Sequence, residues 1–144
     1  MVISFTYLGQ VIASSGEDGK VVLTFIPKSQ VIETLSENQS SPIPVYSTAF
    51  SSYSQYMGTG SGNGMVKIWD LKMRSLKVKS YSHDGPVCSV AWNLNDTVLA
   101  SGSMDGIIAL HSTEKQLPLA TLDSVSHVKI MMRLGHKTIT LFTF

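Results

Sequence analysis

The sequence predicts an all-β protein built from about three repeated four-stranded antiparallel units. Three Asp-Gly or Asn-Gly pairs recur along the chain, and their glycines, Gly19, Gly64 and Gly106, are 45 and 42 residues apart. A β-rich run follows each pair, and the helical periodicity of apolar residues is weak throughout. A period of about 40–45 residues is typical of stacked β units, each too small to bury a core alone.

Each recurring pair closes a predicted hairpin. A tight hairpin turn needs positive φ, and Asp18-Gly19, Asn63-Gly64 and Asp105-Gly106 supply it at little cost. Short apolar stretches precede the turns and longer β-rich runs follow them. The stretches before the turns are 10–12, 55–57 and 97–99, and the runs after them are 20–25, 65–70 and 107–112.

Further strands flank each hairpin. Residues 45–50 and 86–92 precede two of the hairpins, whereas the first repeat lacks a convincing first strand. Trailing strands are predicted at 31–35, 76–80 and 117–122. Four strands per repeat is the composition of a β-propeller blade, and a closed propeller needs about 4–8 blades. We therefore expect a partial propeller that is not a closed ring and is marginal in solution unless it associates.

The predicted organisation follows from the repeat spacing. Blades are expected at about 2–42, 43–82 and 83–123, and the start of a further blade at 124–129. Together these segments form a blade region over 1–129. Residues 130–144 lose the pattern and are predicted to be a divergent tail.

Composition excludes several classes of function. The chain is 43% hydrophobic and 15% charged with a net charge of +1, so it supports a core and gives no global attraction to nucleic acid or membranes. The four histidines and single cysteine show no metal-ligand spacing. The glycine-rich segment 58–64 fits no phosphate-binding pattern. We expect no enzyme activity, metal, cofactor or small-molecule substrate, and Cys88, in an apolar run, is expected to be buried.

The third repeat carries a family resemblance. His83 leads into a first strand ending at Trp92, and a Ser-Gly strand and Asp-Gly turn follow at 99–106. The second repeat contains the dipeptide Trp69-Asp70. This pattern resembles the WD-repeat (WD40) family, whose members are propeller scaffolds for protein–protein interaction.

The resemblance implies a hydrogen-bonded group of His, Ser or Thr, Asp and Trp in each blade. No repeat is complete, so weaker than average blades are expected. His111, expected to be a half-buried strand residue, stands in place of the third Trp. The positions carried over are His83, Ser101 and Asp105 in the third repeat; Thr59, Asn63 (for Asp) and Trp69 in the second; and Ser14, Asp18 and Thr24 (for Trp) in the first.

One subfamily fits more closely. Segments 92–96 and 100–103, and the ending Leu110-His111-Ser112, resemble centrosomal WD-repeat proteins that bring γ-tubulin ring complexes to centrosomes and spindles. The resemblance implies a cytoplasmic protein at the centrosome or spindle pole, with γ-tubulin complex components or centrosomal proteins as partners. The long C-terminal region that engages the complex lies outside these 144 residues. Targeting, rather than recruitment itself, is therefore implied.

Two alternatives stay open. The repeats equally allow a generic adaptor, such as a ubiquitin-ligase substrate receptor, or a truncated fragment without independent function.

A local basic run in the second repeat is either a solvated outer strand and loop or a contact for an acidic partner segment. Its members are Lys67, Lys72, Arg74, Lys77 and Lys79.

Overall fold

The computed structural model describes residues 1–36 and 41–123, together with the backbone of two short strands at 131–134 and 137–140. The prediction of an all-β fold is confirmed. The described residues form three four-stranded antiparallel sheets, each made from four strands consecutive in the chain, and none of them closes into a ring. The first sheet contains β1 (Val2–Phe5), β2 (Val11–Ser15), β3 (Val21–Phe25) and β4 (Gln30–Leu35); the second contains β5 (Val45–Phe50), β6 (Tyr56–Ser61), β7 (Met65–Asp70) and β8 (Ser75–Tyr81); the third contains β9 (Val87–Trp92), β10 (Val98–Ser103), β11 (Ile107–Ser112) and β12 (Ala120–Asp123).

The recurring glycines close the central hairpin of each sheet. Gly19, Gly64 and Gly106 have φ values of 72°, 81° and 81°, the left-handed region that favours glycine. The Asp or Asn before each glycine accepts a hydrogen bond from the backbone N–H two residues further on. This local bond, together with the positive φ, fixes the turn and with it the register of the strands on either side.

The expectation that the first repeat lacks a first strand is wrong. Residues Val2–Phe5 pair antiparallel with β2, with Val2 opposite Ser15 and Phe5 opposite Ile12. The strand has four residues that are all at least partly exposed. Its Val, Ile and Phe residues favour a strand, but it is short and has no buried residue, so its pairing with β2 defines it.

Cys88 is exposed, so the prediction that it is a buried residue is wrong. Val87 pairs with Ser103 and Ser89 pairs with Gly102, which leaves Cys88 as the extra residue of a β-bulge. The second sheet has the same irregularity between Val45 and Ser47, and Tyr46 is 43% exposed there. In both sheets the bulge displaces a residue of an apolar run from the buried face.

The core lies between the sheets rather than within any one of them. One cluster fills the space between the first and second sheets and another fills the space between the second and third. Phe50 and Met57 of the second sheet pack onto Ala13 of the first, and Trp92 and Leu99 belong to the cluster between the second and third sheets. Each sheet therefore stabilises its neighbour.

Glycines in β6 allow the second and third sheets to approach closely. A Cβ added at Gly58 would lie 2.7 Å from the methyl carbons of Leu99. A Cβ added at Gly60 would lie 2.5 Å from Cγ1 of Val87. Hydrogen bonds reinforce the contact, because Trp92 Nε1 donates to the carbonyl of Ala49 at 3.1 Å.

The C-terminal part departs from the repeat. The last strand of the third sheet is Ala120–Asp123 rather than 117–122 as predicted. The predicted start of a further blade at 124–129 lies outside the described residues, and a two-stranded hairpin, β13 (Met131–Leu134) with β14 (Lys137–Thr140), falls within the predicted tail. Among the described residues there is no helix long and apolar enough to span a membrane.

Candidate functional site

A hydrogen-bonded network links three parts of the third sheet. His83, just before β9, places Nε2 2.8 Å from Oγ of Ser101 in β10 and Nδ1 3.1 Å from Oδ2 of Asp105 in the central turn. His111 in β11 places its Nε2 2.8 Å from the same Oγ of Ser101. The four side chains therefore connect the segment that enters the sheet to its two middle strands.

Asp105 is the most highly coordinated member of this network. Its carboxylate accepts hydrogen bonds from the backbone N–H groups of Ile107 at 2.8 Å and Asp84 at 2.9 Å, in addition to its contact with His83. Burial tends to raise the pKa of this carboxyl group, but these hydrogen bonds and His83 outweigh burial, so the pKa lies below its ordinary value. Asp105 is therefore a carboxylate that accepts at every contact.

The charge on Asp105 fixes the direction of the other hydrogen bonds. Burial lowers the pKa of His83 despite the opposing effect of Asp105, so its ring is neutral at pH 7. We assign the proton to Nδ1, which donates to Asp105, and Nε2 then accepts from the Ser101 hydroxyl. Ser101 Oγ is left to accept from Nε2–H of His111. That assignment satisfies every member of the chain from Asp105 to His111 Nε2.

His111 is fully buried at 1% exposure, so the expectation of a half-buried residue is wrong. Burial, with a smaller contribution from His83, lowers the pKa of His111 to about 4. Its Nδ1 atom is buried and has no hydrogen-bond partner among the described residues. An unpaired buried acceptor lowers the stability of the fold. A tryptophan at this position would not have this cost, because indole has no second nitrogen.

The second sheet has a smaller version of the network. Trp69 donates from Nε1 to Oγ1 of Thr59 at 3.3 Å, the contact that His111 makes with Ser101 in the third sheet. Asn63 accepts from the N–H of Met65 at 3.3 Å and so serves the turn. Asp70 accepts from the N–H groups that follow it, those of residues 72 and 73, at 3.0 and 2.9 Å. It thereby caps the turn between β7 and β8.

The first sheet does not assemble such a network. Ser14 is half-buried and Asp18 is exposed, and no hydrogen bond among the described residues joins their side chains. Asp18 accepts from the N–H of Lys20 at 3.2 Å, which stabilises the hairpin turn. Thr24 occupies the position of Trp69 and is only partly buried. Among the described residues, the first sheet therefore has only the turn contact of Asp18 from this group.

The predicted basic run is divided among different surfaces. Lys72 and Arg74 are exposed together in the turn between β7 and β8. Lys77 extends over the ring of Tyr56, with Nζ 5.1 Å from its centroid. Lys79 lies over Tyr81 and Lys67 lies over Trp69, where it is largely buried. Lys72 and Arg74 thus lie in one exposed turn, whereas the other three lysines lie over aromatic rings.

Sequence reasoning missed a contact between the second and third sheets. Asp96, in the turn after β9, accepts hydrogen bonds from the N–H of Ser52 at 2.6 Å and from the N–H of Tyr53 at 2.9 Å. Its backbone has a φ of 56°, a value that Asp tolerates better than most residues. The Asn-Asp pair marks a turn, but no local signal indicates its partners 43 and 44 residues away.

The third-sheet network superficially matches a Ser-His-Asp relay, but it is closed to substrate. A serine nucleophile must present its oxygen to a carbonyl group. Ser101 is 1% exposed, and its Oγ is held between His83 and His111. Nor do the described residues contain a group of three or more His, Cys, Asp or Glu side chains that could hold a metal ion. The arrangement serves to join strands.

Comparison with known families gives an independent view of these repeats. The model of the WD domain, G-beta repeat, matches residues 29–70 and 75–112. Each match begins at the outer strand of one sheet and ends with the third strand of the next, at Asp70 and Ser112. Each sequence repeat therefore spans two sheets, which links consecutive sheets covalently as well as through the core.

Several relatives match most of this chain. Human Protein NEDD1 is 34% identical over 124 residues, 83% of this chain and 18% of its own length. The U3 small nucleolar RNA-associated protein 18 homolog of Arabidopsis thaliana is 29% identical over 132 residues, 87% of this chain and 23% of its own length. COMPASS component SWD3 of Saccharomyces cerevisiae is 31% identical over 115 residues, 79% of this chain and 35% of its own length.

The chain thus spans about a fifth of the length of the first two relatives and about a third of the yeast protein. WD-repeat proteins are generally scaffolds for protein interaction rather than enzymes. With the repeat model matching more than half of its residues, and with sheets that stack as propeller blades do, this chain belongs to the WD-repeat family.

Proposed function

We propose that this chain is a non-catalytic scaffold that helps to target γ-tubulin complexes to the centrosome or spindle. The observation that carries the proposal is Leu110-His111-Ser112, which stands where a WD repeat usually has Trp-Asp. His111 is buried and hydrogen-bonded to Ser101, so the histidine that stands in place of the usual tryptophan has a structural role in the third sheet. The 34% identity to human Protein NEDD1 supports the same assignment.

The non-catalytic part of the proposal is supported by the state of the polar side chains. The candidate nucleophile Ser101 is enclosed by two imidazole rings, and Asp105 is held by backbone N–H groups. Both side chains already have structural roles, which leaves the exposed surface for partner binding. The described turns expose aromatic and cationic side chains, as protein-binding surfaces commonly do.

A second candidate is an adaptor in another assembly. The similarity to an Arabidopsis protein whose name associates it with the U3 small nucleolar RNA, and to the yeast COMPASS component, is of comparable strength to that with NEDD1. A role in a nuclear or nucleolar complex, or as a ubiquitin-ligase substrate receptor, would use the same scaffold. These candidates differ from the first in partner and in location.

Affinity purification and imaging of the tagged full chain in mitotic cells of its source organism separate the candidates. We expect γ-tubulin complex subunits in the purified fraction and fluorescence at centrosomes or spindle poles. A tagged WD-repeat protein of unrelated function, expressed at the same level, is the control. Recovery of nucleolar ribonucleoprotein or ubiquitin-ligase subunits without centrosomal enrichment would refute the γ-tubulin assignment and support an adaptor.

A further inference from the structure

A groove of about 410 Å³ opens between the first and second sheets, at the end where β1 turns into β2 and β5 turns into β6. Leu23 and Phe50 form its floor and are 5% and 4% exposed. Val11 and Leu71 also line the groove and pack against the core cluster between these two sheets. The groove is therefore an unfilled continuation of the core, with a preference for apolar side chains.

Large side chains that face solvent form the rim of this groove. Tyr7, Leu8 and Tyr53 are 82%, 74% and 83% exposed. Two hydrogen bonds hold their turns in place. The N–H of Tyr7 donates to Oγ of Ser54 at 3.3 Å, and Asp96 accepts from the N–H of Tyr53 at 2.9 Å. A preformed rim reduces the ordering cost of binding, and clustered exposed apolar side chains mark interaction sites.

The fully exposed charges in the turns around the groove are positive. The turns at this end of the first and second sheets carry three exposed cations, Lys28, Lys72 and Arg74. Arg74 lines the groove and has no ion-pair partner among the described residues. Among the described residues the lining contains one carboxylate, Glu33 in β4. A second carboxylate, that of Asp96, is engaged by the backbone N–H of the rim residue Tyr53. A partner with acidic residues is therefore favoured on the Arg74 side of the groove.

We propose that this groove binds a short extended segment of a partner protein, in which an apolar anchor such as Leu or Phe precedes acidic residues. The anchor packs onto Leu23 and Phe50, and the acidic residues pair with Arg74 and Lys72. The volume is within the range of sites that enclose a few side chains. The inference rests on the proposed scaffold function, for which it names a binding surface and a class of partner.

The test uses fluorescence anisotropy of a fluorescein-labelled peptide with Leu-Phe-Asp-Asp between Gly-Ser flanks, added to the full chain. We expect saturable binding that weakens as NaCl increases, because exposed ion pairs are screened by salt. Replacing both Asp residues of the peptide with Asn, or Leu and Phe with Ser, is expected to weaken binding by roughly tenfold, which corresponds to about 1.4 kcal/mol.

Arg74 allows a clean change of charge. Its φ is 51°, and Asn and Asp adopt this conformation more readily than most residues, so Arg74→Asn and Arg74→Asp should preserve the turn. Arg74→Asn is expected to weaken binding several-fold and Arg74→Asp by roughly tenfold or more. Tyr53→Ala tests the rim. The matched controls are Lys20→Glu, at the opposite end of the first sheet, and Tyr81→Ala, which removes a 67% exposed tyrosine elsewhere.

Unchanged affinity of both Arg74→Asp and Tyr53→Ala, or equal binding of the Asp and Asn peptides, would overturn the proposal. Circular dichroism confirms that each variant is folded. The two proposals fail separately. If the full chain retrieves γ-tubulin complexes but does not bind the peptide, the groove is refuted and the targeting function stands. If the peptide binds as expected but no centrosomal partner is retrieved, the targeting function is refuted and the groove proposal stands.

Discussion

Nε2 of His111 lies 2.8 Å from Oγ of Ser101, so an imidazole N–H in the third sheet takes the place that the indole N–H of Trp69 has in the second. Both groups donate to the hydroxyl of the strand beside them. The two rings differ in the rest of their polar atoms, because imidazole has a second nitrogen and indole does not. In His111 this second nitrogen, Nδ1, is buried without a partner among the described residues. The replacement keeps the bond and adds a titratable group.

The first prediction concerns Ser101→Ala. The change removes the hydroxyl that joins His83 to His111, so Nε2 of His83 loses its partner and Nε2 of His111 keeps only Oγ of Ser82, 3.5 Å away. We expect a loss of about 3 kcal/mol in the free energy of unfolding, from one to two unsatisfied buried groups. Urea unfolding followed by circular dichroism measures it. Ser14→Ala, at the equivalent half-buried position of the first sheet, is the control and should cost less than about 0.5 kcal/mol.

A second prediction follows from the depressed pKa of His111, about 4 in the folded chain against an ordinary value of 6.5. Between these values the unfolded chain binds the proton more readily, so the free energy of unfolding decreases as the pH falls from 6.5 towards 4. Full stability is present above pH 6.5, and the loss attributable to His111 amounts to about 3 kcal/mol. His83, whose pKa is also lowered by burial, acts in the same direction.

Urea unfolding at several pH values between 4 and 8 measures this effect. His111→Gln removes the titrating group and should flatten the pH dependence, leaving the part due to His83. NMR titration of the folded chain gives an independent readout. If His111 titrates near 6.5 in the folded state, the assignment of a buried neutral imidazole is incorrect.

The sequence allows the repeating part of the fold to be predicted because its determinants are local. The Asp-Gly and Asn-Gly pairs require positive φ at Gly19, Gly64 and Gly106, and the structure has it. Similarly, the residues of the third-sheet network can be named from the family resemblance. Its protonation pattern cannot, because burial of His111 depends on how the sheets stack.

The features that were not predictable depend on contacts between distant segments. The exposure of Cys88 results from a bulge that is defined only by the pairing of β9 with β10. Asp96 acts through backbone N–H groups more than 40 residues away. The groove between the first two sheets combines Tyr7 with Tyr53, which only the stacking of the sheets brings together. None of these three features produces a pattern of residues within one segment, so the sequence of that segment could not reveal it.

A third prediction tests the close approach of the second and third sheets at Gly60. In Gly60→Ala the added Cβ would lie 2.5 Å from Cγ1 and 2.9 Å from Cβ of Val87, so the sheets must separate or Val87 must move. We expect a loss of about 2 kcal/mol in the free energy of unfolding. Gly16→Ala is the control, since its nearest contact would be 3.8 Å away, at a side-chain oxygen of Asp18.

A double-mutant cycle shows whether this loss comes from the contact itself. Val87→Ala removes the Cγ1 methyl that would lie 2.5 Å from the added Cβ but keeps Cβ of residue 87, 2.9 Å away. In that background Gly60→Ala should therefore cost less than it does alone, although part of the loss should remain. Strictly additive effects would show that the Cγ1 methyl of Val87 is not the source of the loss.

The last prediction concerns the outer face of the first sheet. Phe5 and Ile12 pair across β1 and β2 at the positions that Phe50 and Met57 occupy in the second sheet and Trp92 and Leu99 in the third. Phe50 is 4% exposed and Trp92 is 6% exposed, whereas Phe5 is 56% exposed and Ile3, on the same face, is 48% exposed. An apolar sheet face of this kind favours association.

We therefore expect the isolated chain to self-associate as its concentration rises, and the double variant Ile3→Thr with Phe5→Thr to remain smaller. Threonine keeps the β propensity of the strand while removing apolar surface. Sedimentation velocity over a range of concentrations measures the effect. Leu94→Thr, which removes a 66% exposed leucine from a turn of the third sheet, is the control and should leave association unchanged. A chain that is monomeric at every concentration would contradict the prediction, because the first sheet would then tolerate a face that its two neighbours bury.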